Sequence, residues 1–164
     1  MRETAIRAAV LTVSDGVHQG ARVDKSGPTL VEKLRASGYT VPDAAVVPDE
    51  REQIAEWLRN VTVNDLADIV FTTGGTGVAL RDVTPEAVRD VIEREIPGFG
   101  ELMRQSGRAT TPFASLSRGL AGTVGKVLIV TLPGSPKGAL ESLGAILELV
   151  PHVHDLLCGR TAHS

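Results

Sequence analysis

Four segments concentrate the residues able to do chemistry: Ser14-Asp15-Gly16, Pro48-Asp49-Glu50, Thr72-Thr73-Gly74-Gly75-Thr76-Gly77 and Pro133-Gly134-Ser135-Pro136-Lys137. The glycine-rich loop Gly74–Gly77 is the strongest local signal. Glycine permits a tight turn and close approach of a ligand to the main chain. Successive free amides in such a turn form an anion-binding concavity, and Thr72, Thr73 and Thr76 add hydroxyl donors. A ligand-free strand-to-loop turn would use the same residues. The GxxxxGK[ST] spacing of a P-loop is absent, and Leu80 stands where a dinucleotide fingerprint needs its third glycine.

Carboxylates flank this loop in the sequence. Asp82, in Arg81-Asp82-Val83-Thr84-Pro85, precedes a helix start. Taken by itself it reads first as a carboxylate favoured by the helix dipole; the functional reading is a magnesium ligand next to bound phosphates. Asp49 carries the same two readings. Gly134-Ser135-Pro136-Lys137 sets a cap hydroxyl, backbone amides and a lysine at a helix N-terminus, a plausible anion site. A plain capped helix with a solvated Lys137 accounts for it as well. Ser115, Ser117 and Arg118 could meet a phosphate, although an exposed turn is the simpler reading. His152 and His154 are two apart, the wrong spacing for one helix face. No nucleophile–base pair can be placed from the sequence.

Hydrophobic periodicity places these groups on strands and helices. Ile6–Val13, Ile69–Thr73 and Val127–Leu132 are short aliphatic runs suited to strands buried on both faces. Tyr39–Val47 is a weaker strand. Four apolar stripes have helical spacing: Leu30/Val31/Leu34, Ile54/Trp57/Leu58/Val61, Ala87/Val88/Val91/Ile92 and Leu140/Leu143/Leu147/Val150. Gly38 should end the first and Pro97-Gly98 the third. Thr84-Pro85 and Ser135-Pro136 read as N-caps followed by proline. Gly98–Glu101 opens another short helix, with Phe99 in the core. Pro112–Arg118 suggests a further short helix, and a weak strand or hairpin precedes Val127. The alternation predicts an α/β sandwich with a mainly parallel sheet. Ligands of such sheets bind beyond the strands' carboxyl ends, where these loops would share one edge.

The 164 residues fit one domain, 1–164, large enough to bury its own core. With 42% hydrophobic and 23% charged residues the chain is not wholly disordered. A net charge of −3 and 3% aromatics argue against a nucleic-acid surface or stacking platform. The single cysteine, Cys158, excludes an internal disulfide or a cysteine metal cluster. No apolar run approaches a membrane span, and the N-terminus does not read as a signal peptide. A cytoplasmic protein with a frayed tail after Gly159 is expected.

Taken in order, Ser14-Asp15, Pro48-Asp49-Glu50, Thr72–Gly77, Arg81–Pro85, Pro97–Glu101, Leu116-Ser117-Arg118 and Leu132–Lys137 resemble the Mog/MoaB family of molybdenum-cofactor biosynthesis over nearly the whole chain. Active members are molybdopterin adenylyltransferases. The resemblance implies a three-layer α/β/α sandwich, a homotrimer, and transfer of AMP from Mg²⁺-ATP to the terminal phosphate of molybdopterin with release of pyrophosphate. It implies Asp49 and Asp82 as the required carboxylates, with Mg²⁺ on Asp82 or Asp49. Ser14, Asp15, Thr73, Gly74, Gly75, Thr76, Gly77, Gly134, Ser135, Pro136 and Lys137 are the implied contacts to nucleotide and pterin. The product would pass to a molybdenum-insertion protein. The resemblance equally admits a non-catalytic, molybdopterin-binding accessory paralogue of the MoaB type.

Overall fold

A computed structural model describes residues 4–161. Expectations for Met1–Glu3 and for the last three residues of the tail lie outside them. Four parallel strands form the body of one six-stranded sheet: β1 (Arg7–Val13), β2 (Thr40–Val47), β3 (Ile69–Thr73) and β6 (Val127–Leu132). Strands β5 (Ala121–Val124) and β4 (Arg94–Glu95) extend it antiparallel, giving the order β2-β1-β3-β6-β5-β4. From β1 the chain makes the one-turn helix α1 (Asp15–His18), crosses one way to β2 and returns to lay β3 on the other side. The direction of winding therefore reverses between β1 and β3, and a crevice opens at their carboxyl ends.

Both faces of the sheet are covered, which explains the aliphatic runs. Ala8, Val10, Ile69, Phe71, Leu128 and Val130 point into one layer. There they meet α2 (Ser26–Ala36), α5 (Pro97–Arg108), α6 (Pro136–Ile146) and α7 (Val150–Leu157). Ala9, Leu11, Val13, Val70 and Ile129 point into the other, against α3 (Arg51–Val63) and α4 (Thr84–Arg89). This is the expected three-layer sandwich. Strand β2 lies at the sheet's edge and alternates between exposed and half-buried residues, which made its signal weak.

Four features of the helices correct the sequence expectation. The third helix stops at Arg89, not at Pro97-Gly98. Val91 and Ile92 still pack on the core below the sheet, but the chain has turned to form edge strand β4. Pro97 then opens α5, a helix of 12 residues in place of the short one predicted, with Phe99 buried as expected. The fourth stripe divides into α6 and α7, because Pro151 lacks the amide that a continuous helix would direct at Leu147. Thr84 is the first helical residue of α4 and not its cap; its hydroxyl donates instead to Gly74 O at 2.9 Å. The region before β6 contains a 3₁₀ turn at Pro112–Leu116 and the β5–β6 hairpin. Ser135 caps α6 as expected, accepting from the Gly138 amide at 3.1 Å.

Candidate functional site

The glycine loop turns where β3 leaves the core. Gly74 has φ +103° and Gly75 φ +70°, a region open chiefly to glycine. A Cβ on Gly74 would lie 2.2 Å from Val13 O, and one on Gly75 2.2 Å from Thr84 Oγ1. The loop is thus pressed between the end of β1 and the start of α4. The Gly74 amide bonds Leu132 O at 3.1 Å, and Thr73 Oγ1 donates to Pro133 O at 2.7 Å. Those bonds join the ends of β3 and β6, so the Thr73 hydroxyl serves the scaffold. Thr72 is buried and its Oγ1 has no hydrogen-bond partner. Among the described residues, the amides of Gly75, Thr76, Gly77, Gly134 and Ser135 donate to no protein group. These free donors on two facing loops form a cradle suited to phosphate oxygens.

Two carboxylates flank the cradle. A Cβ on Gly75 would stand 3.2 Å from Asp49 Oδ1, and one on Gly77 2.8 Å from Asp82 Oδ2. Glycine therefore makes room for both acids against the loop. Asp49 is cross-braced with Asp15: Asp49 Oδ2 accepts from the Asp15 amide at 2.8 Å, and the Asp49 amide donates to Asp15 Oδ1 at 3.0 Å. Burial pushes the Asp49 carboxyl above its ordinary pKa, the Asp15 amide opposes this, and the Asp15 and Asp82 charges add to it. A cation placed there would relieve that cost. Arg81 forks onto Asp15 at 2.9 and 3.0 Å and also pairs with Glu50 at 2.9 Å. Its hydrogen bonds hold the Asp15 carboxyl below the usual range. Asp82 Oδ2 accepts from the Ala79 amide at 2.9 Å, closing the turn that presents it.

Two cavities meet here. One, of roughly 710 Å³, is lined by Ser14, Asp49, Thr73, Gly74, Gly75 and Asp82, with Gly134, Ser135 and Pro136 on the far side. The other, of roughly 350 Å³, has Met103, Phe113 and Leu116 among its walls, with Arg104 and Ser117 as polar groups and Thr76 and Gly77 at its edge. Gly134 and Ser135 line both. Asp15 is outside the residues lining the first cavity and reaches it through its bonds to Asp49. Lys137 sits in the first turn of α6, outside the residues lining either cavity.

Sequence reasoning missed Thr12 and Asp24, which also line the larger cavity. Thr12 Oγ1 donates to Asp24 Oδ2 at 2.8 Å, and Asp24 Oδ1 accepts from the Gly27 amide at 3.0 Å. Asp24 beside Ser26-Gly27-Pro28 carries the sequence signal of a helix start. The expectation of an apolar stripe beginning at Leu30 passed over it.

Among the described residues no group of three metal-ligating side chains occurs. The donor set nonetheless fits magnesium, which takes one or two carboxylates and completes its shell with water and substrate phosphates. Asp49 and Asp82, at the edge of a cradle for phosphate, supply such a pair.

An open, largely parallel sheet with free amides and two acids at its switch point defines an α/β protein whose ligand crevice lies at the strands' carboxyl ends. Residues 9–152 match the family described as "Probable molybdopterin binding domain", and the chain belongs to that family. It is 42% identical over 158 residues to a protein of Helicobacter pylori J99 named molybdopterin adenylyltransferase, covering 94% of this chain and 89% of that one. It is 40% identical over 144 residues to the Escherichia coli K12 protein of the same name, covering 86% and 73% respectively. The solved structure of the molybdopterin biosynthesis enzyme MoaB of Thermus thermophilus superposes with a TM-score of 0.88 at 46% identity, covering 94% of this chain and 97% of that one.

Proposed function

We propose that this protein transfers the adenylyl group of ATP to the terminal phosphate of molybdopterin and releases pyrophosphate. One observation carries the reading: two cavities of different chemistry share the Gly134-Ser135 wall, beside a cradle of free amides. Relatives sharing about two residues in five over most of their length bear the name of that activity.

The larger, acid-lined cavity suits the nucleotide, and the smaller, more apolar one suits the pterin. Their phosphates would then meet at the shared wall, the geometry that an in-line displacement needs. An oxygen of the pterin phosphate attacks the α-phosphorus. The bond from that phosphorus to the α,β-bridging oxygen breaks, and pyrophosphate leaves with the electron pair. A phosphate monoester has a second pKa of about 6, so the attacking group is already deprotonated near neutrality. That agrees with a sequence in which no nucleophile–base pair can be placed. The chain's work is placement and charge. Amides of Gly75, Thr76, Gly77, Gly134 and Ser135 hold phosphate oxygens, and Ser14 and Thr73 shape the floor. Asp49 and Asp82 would hold Mg²⁺, which when bound neutralises the triphosphate and the charge developing on the leaving group. Asp15 orients Asp49.

A single domain spanning 1–164, a homotrimeric assembly, cytoplasmic residence and delivery to a molybdenum-insertion protein belong to the same reading. No described helix is long and apolar enough to cross a membrane.

Nucleotide binding tests the proposal against an accessory, pterin-only role. Titration calorimetry should show ATP binding that needs Mg²⁺ and is lost in Asp82→Asn. A protein that takes up molybdopterin but shows no Mg²⁺-dependent ATP binding is a pterin-binding accessory.

A further inference from the structure

Arg118 lines neither cavity, yet it ties together the segments that wall both. Its amide donates to Thr76 O at 2.8 Å and its Nε to Gly77 O at 2.8 Å. Nη2 donates to Asp82 O at 2.6 Å, and Nη1 pairs with the Glu86 carboxylate. One residue thus grips the glycine loop, the backbone of the acidic residue and the first turn of α4. Its neighbours in sequence, Ser117 and Gly119, line the apolar cavity, and their carbonyls accept from Arg104 Nη1 at 3.3 and 2.9 Å.

We propose that Arg118 is a positioning residue for the transfer step. Through the Gly77 and Asp82 carbonyls it holds Asp82 and the phosphate cradle in register with the pterin cavity, and Glu86 locks its guanidinium in place. This rests on the adenylyl-transfer reading above.

Three features argue for that role. The loop between Gly77 and Asp82 has little packing of its own: Val78 is 68% and Leu80 99% exposed. Its hold on the body of the protein is therefore largely by hydrogen bonds, and Arg118 supplies two of them from one side chain. Second, only a planar guanidinium can aim Nε and both terminal nitrogens at three separate acceptors; an ammonium on a flexible stem cannot keep that fork. Third, the Glu86 carboxylate has one buried oxygen with no hydrogen-bond partner, a costly arrangement for a surface helix residue. Its other oxygen meets Arg118. Burial raises the Glu86 pKa, but the Arg118 bond, the residue's own amide and the Arg118 and Arg89 charges together outweigh it, and the carboxyl stays below its ordinary value. The guanidinium of Arg118 is the defined partner of that carboxylate.

The test compares the full chain with Arg118→Lys and Glu86→Gln. Four quantities are read: melting temperature, amide hydrogen exchange in residues 76–83, and kcat and KM for adenylyl transfer. For Arg118→Lys the expected kcat falls about 100-fold, the scale of a misplacement of about 1 Å. KM should change little, the melting temperature should stay near native, and exchange in 76–83 should rise. Glu86→Gln keeps an acceptor and removes its charge, so a kcat loss of about 10-fold is expected. It also keeps the question decidable should Arg118→Lys fold poorly. Native kcat in both variants overturns the proposal. So does a lost kcat with native exchange in 76–83, or a loss that a lower melting temperature explains in both variants. If the native chain forms no adenylylated product, the functional reading fails by itself. Exchange in 76–83 then still decides whether Arg118 holds the loop: faster exchange in Arg118→Lys supports the hold, and native exchange overturns it.

Discussion

Asp49 and Asp82 reach the same glycine loop by different supports. Asp49 is locked into a reciprocal pair with Asp15, whereas Asp82 closes a short turn onto the Ala79 amide. Replacing either acid by asparagine keeps its shape and removes its charge. Each replacement should lower adenylyl transfer by about 100-fold or more, the scale of losing a preorganised electrostatic group, in a pyrophosphate-release assay. Asp49→Asn should also change stability, with a defined sign. Burial raises the folded pKa of Asp49, so the folded state binds that proton more tightly than the unfolded state does. The native chain is therefore penalised as pH rises through the folded pKa. Asp49→Asn should melt above the native chain at pH 7, with the gap closing as pH falls; a variant melting lower at every pH would contradict the burial argument. At this scale the sequence showed both acids and the glycines, because their motifs are contiguous. Asp24, Thr84 and Arg118 acquire their roles only through partners elsewhere in the fold, such as Thr12, Gly74 and Gly77.

At the scale of elements, the site is the meeting of two strand ends. Gly74 passes so close to Val13 O that only a hydrogen fits, and Gly75 does the same against Thr84. Gly75→Ala adds a left-handed strain of about 1–2 kcal/mol and a clash that must move Thr84. It should lower the melting temperature by about 4–8 °C and abolish ATP binding, as thermal denaturation and calorimetry would show. The four parallel strands were legible in the sequence, since strands buried on both faces read as unbroken aliphatic runs. Helix ends were less legible. The stripe through Val91 and Ile92 continues past α4 because those side chains stay in the core after the helix has stopped. The two-residue strand β4 is too short to have a period at all.

At the scale of the molecule, the sheet has two unlike ends. The carboxyl ends carry glycines, free amides and acids. The opposite end is closed by Arg7, whose side chain donates to Asp68 at 2.8 and 3.3 Å and to Asp65 at 2.8 and 2.9 Å. Burial pushes the Asp68 carboxyl up, but the Arg7 bonds outweigh it and leave the pKa lowered. Its contribution to stability is therefore present above the ordinary carboxylate range and lost as pH falls through the lowered value. Arg7→Ala should cost about 1–2 kcal/mol, or about 2–8 °C in melting temperature, while kcat stays native. A lost kcat in that variant would show that the two ends are coupled. Light scattering checks the proposed trimer, with a mass three times that of the chain expected and a monomer counting against it.

Adenylyl transfer moves the α-phosphate of ATP, so the fate of that phosphate distinguishes a transferase from a binding protein. The purified chain, molybdopterin and Mg²⁺ are mixed with ATP labelled at the α-phosphorus, and the label is traced. Label is expected in a molybdopterin–AMP product, matched mole for mole by pyrophosphate and lost in Asp82→Asn. Folded native protein that binds molybdopterin while all the label stays in ATP would contradict adenylyl transfer.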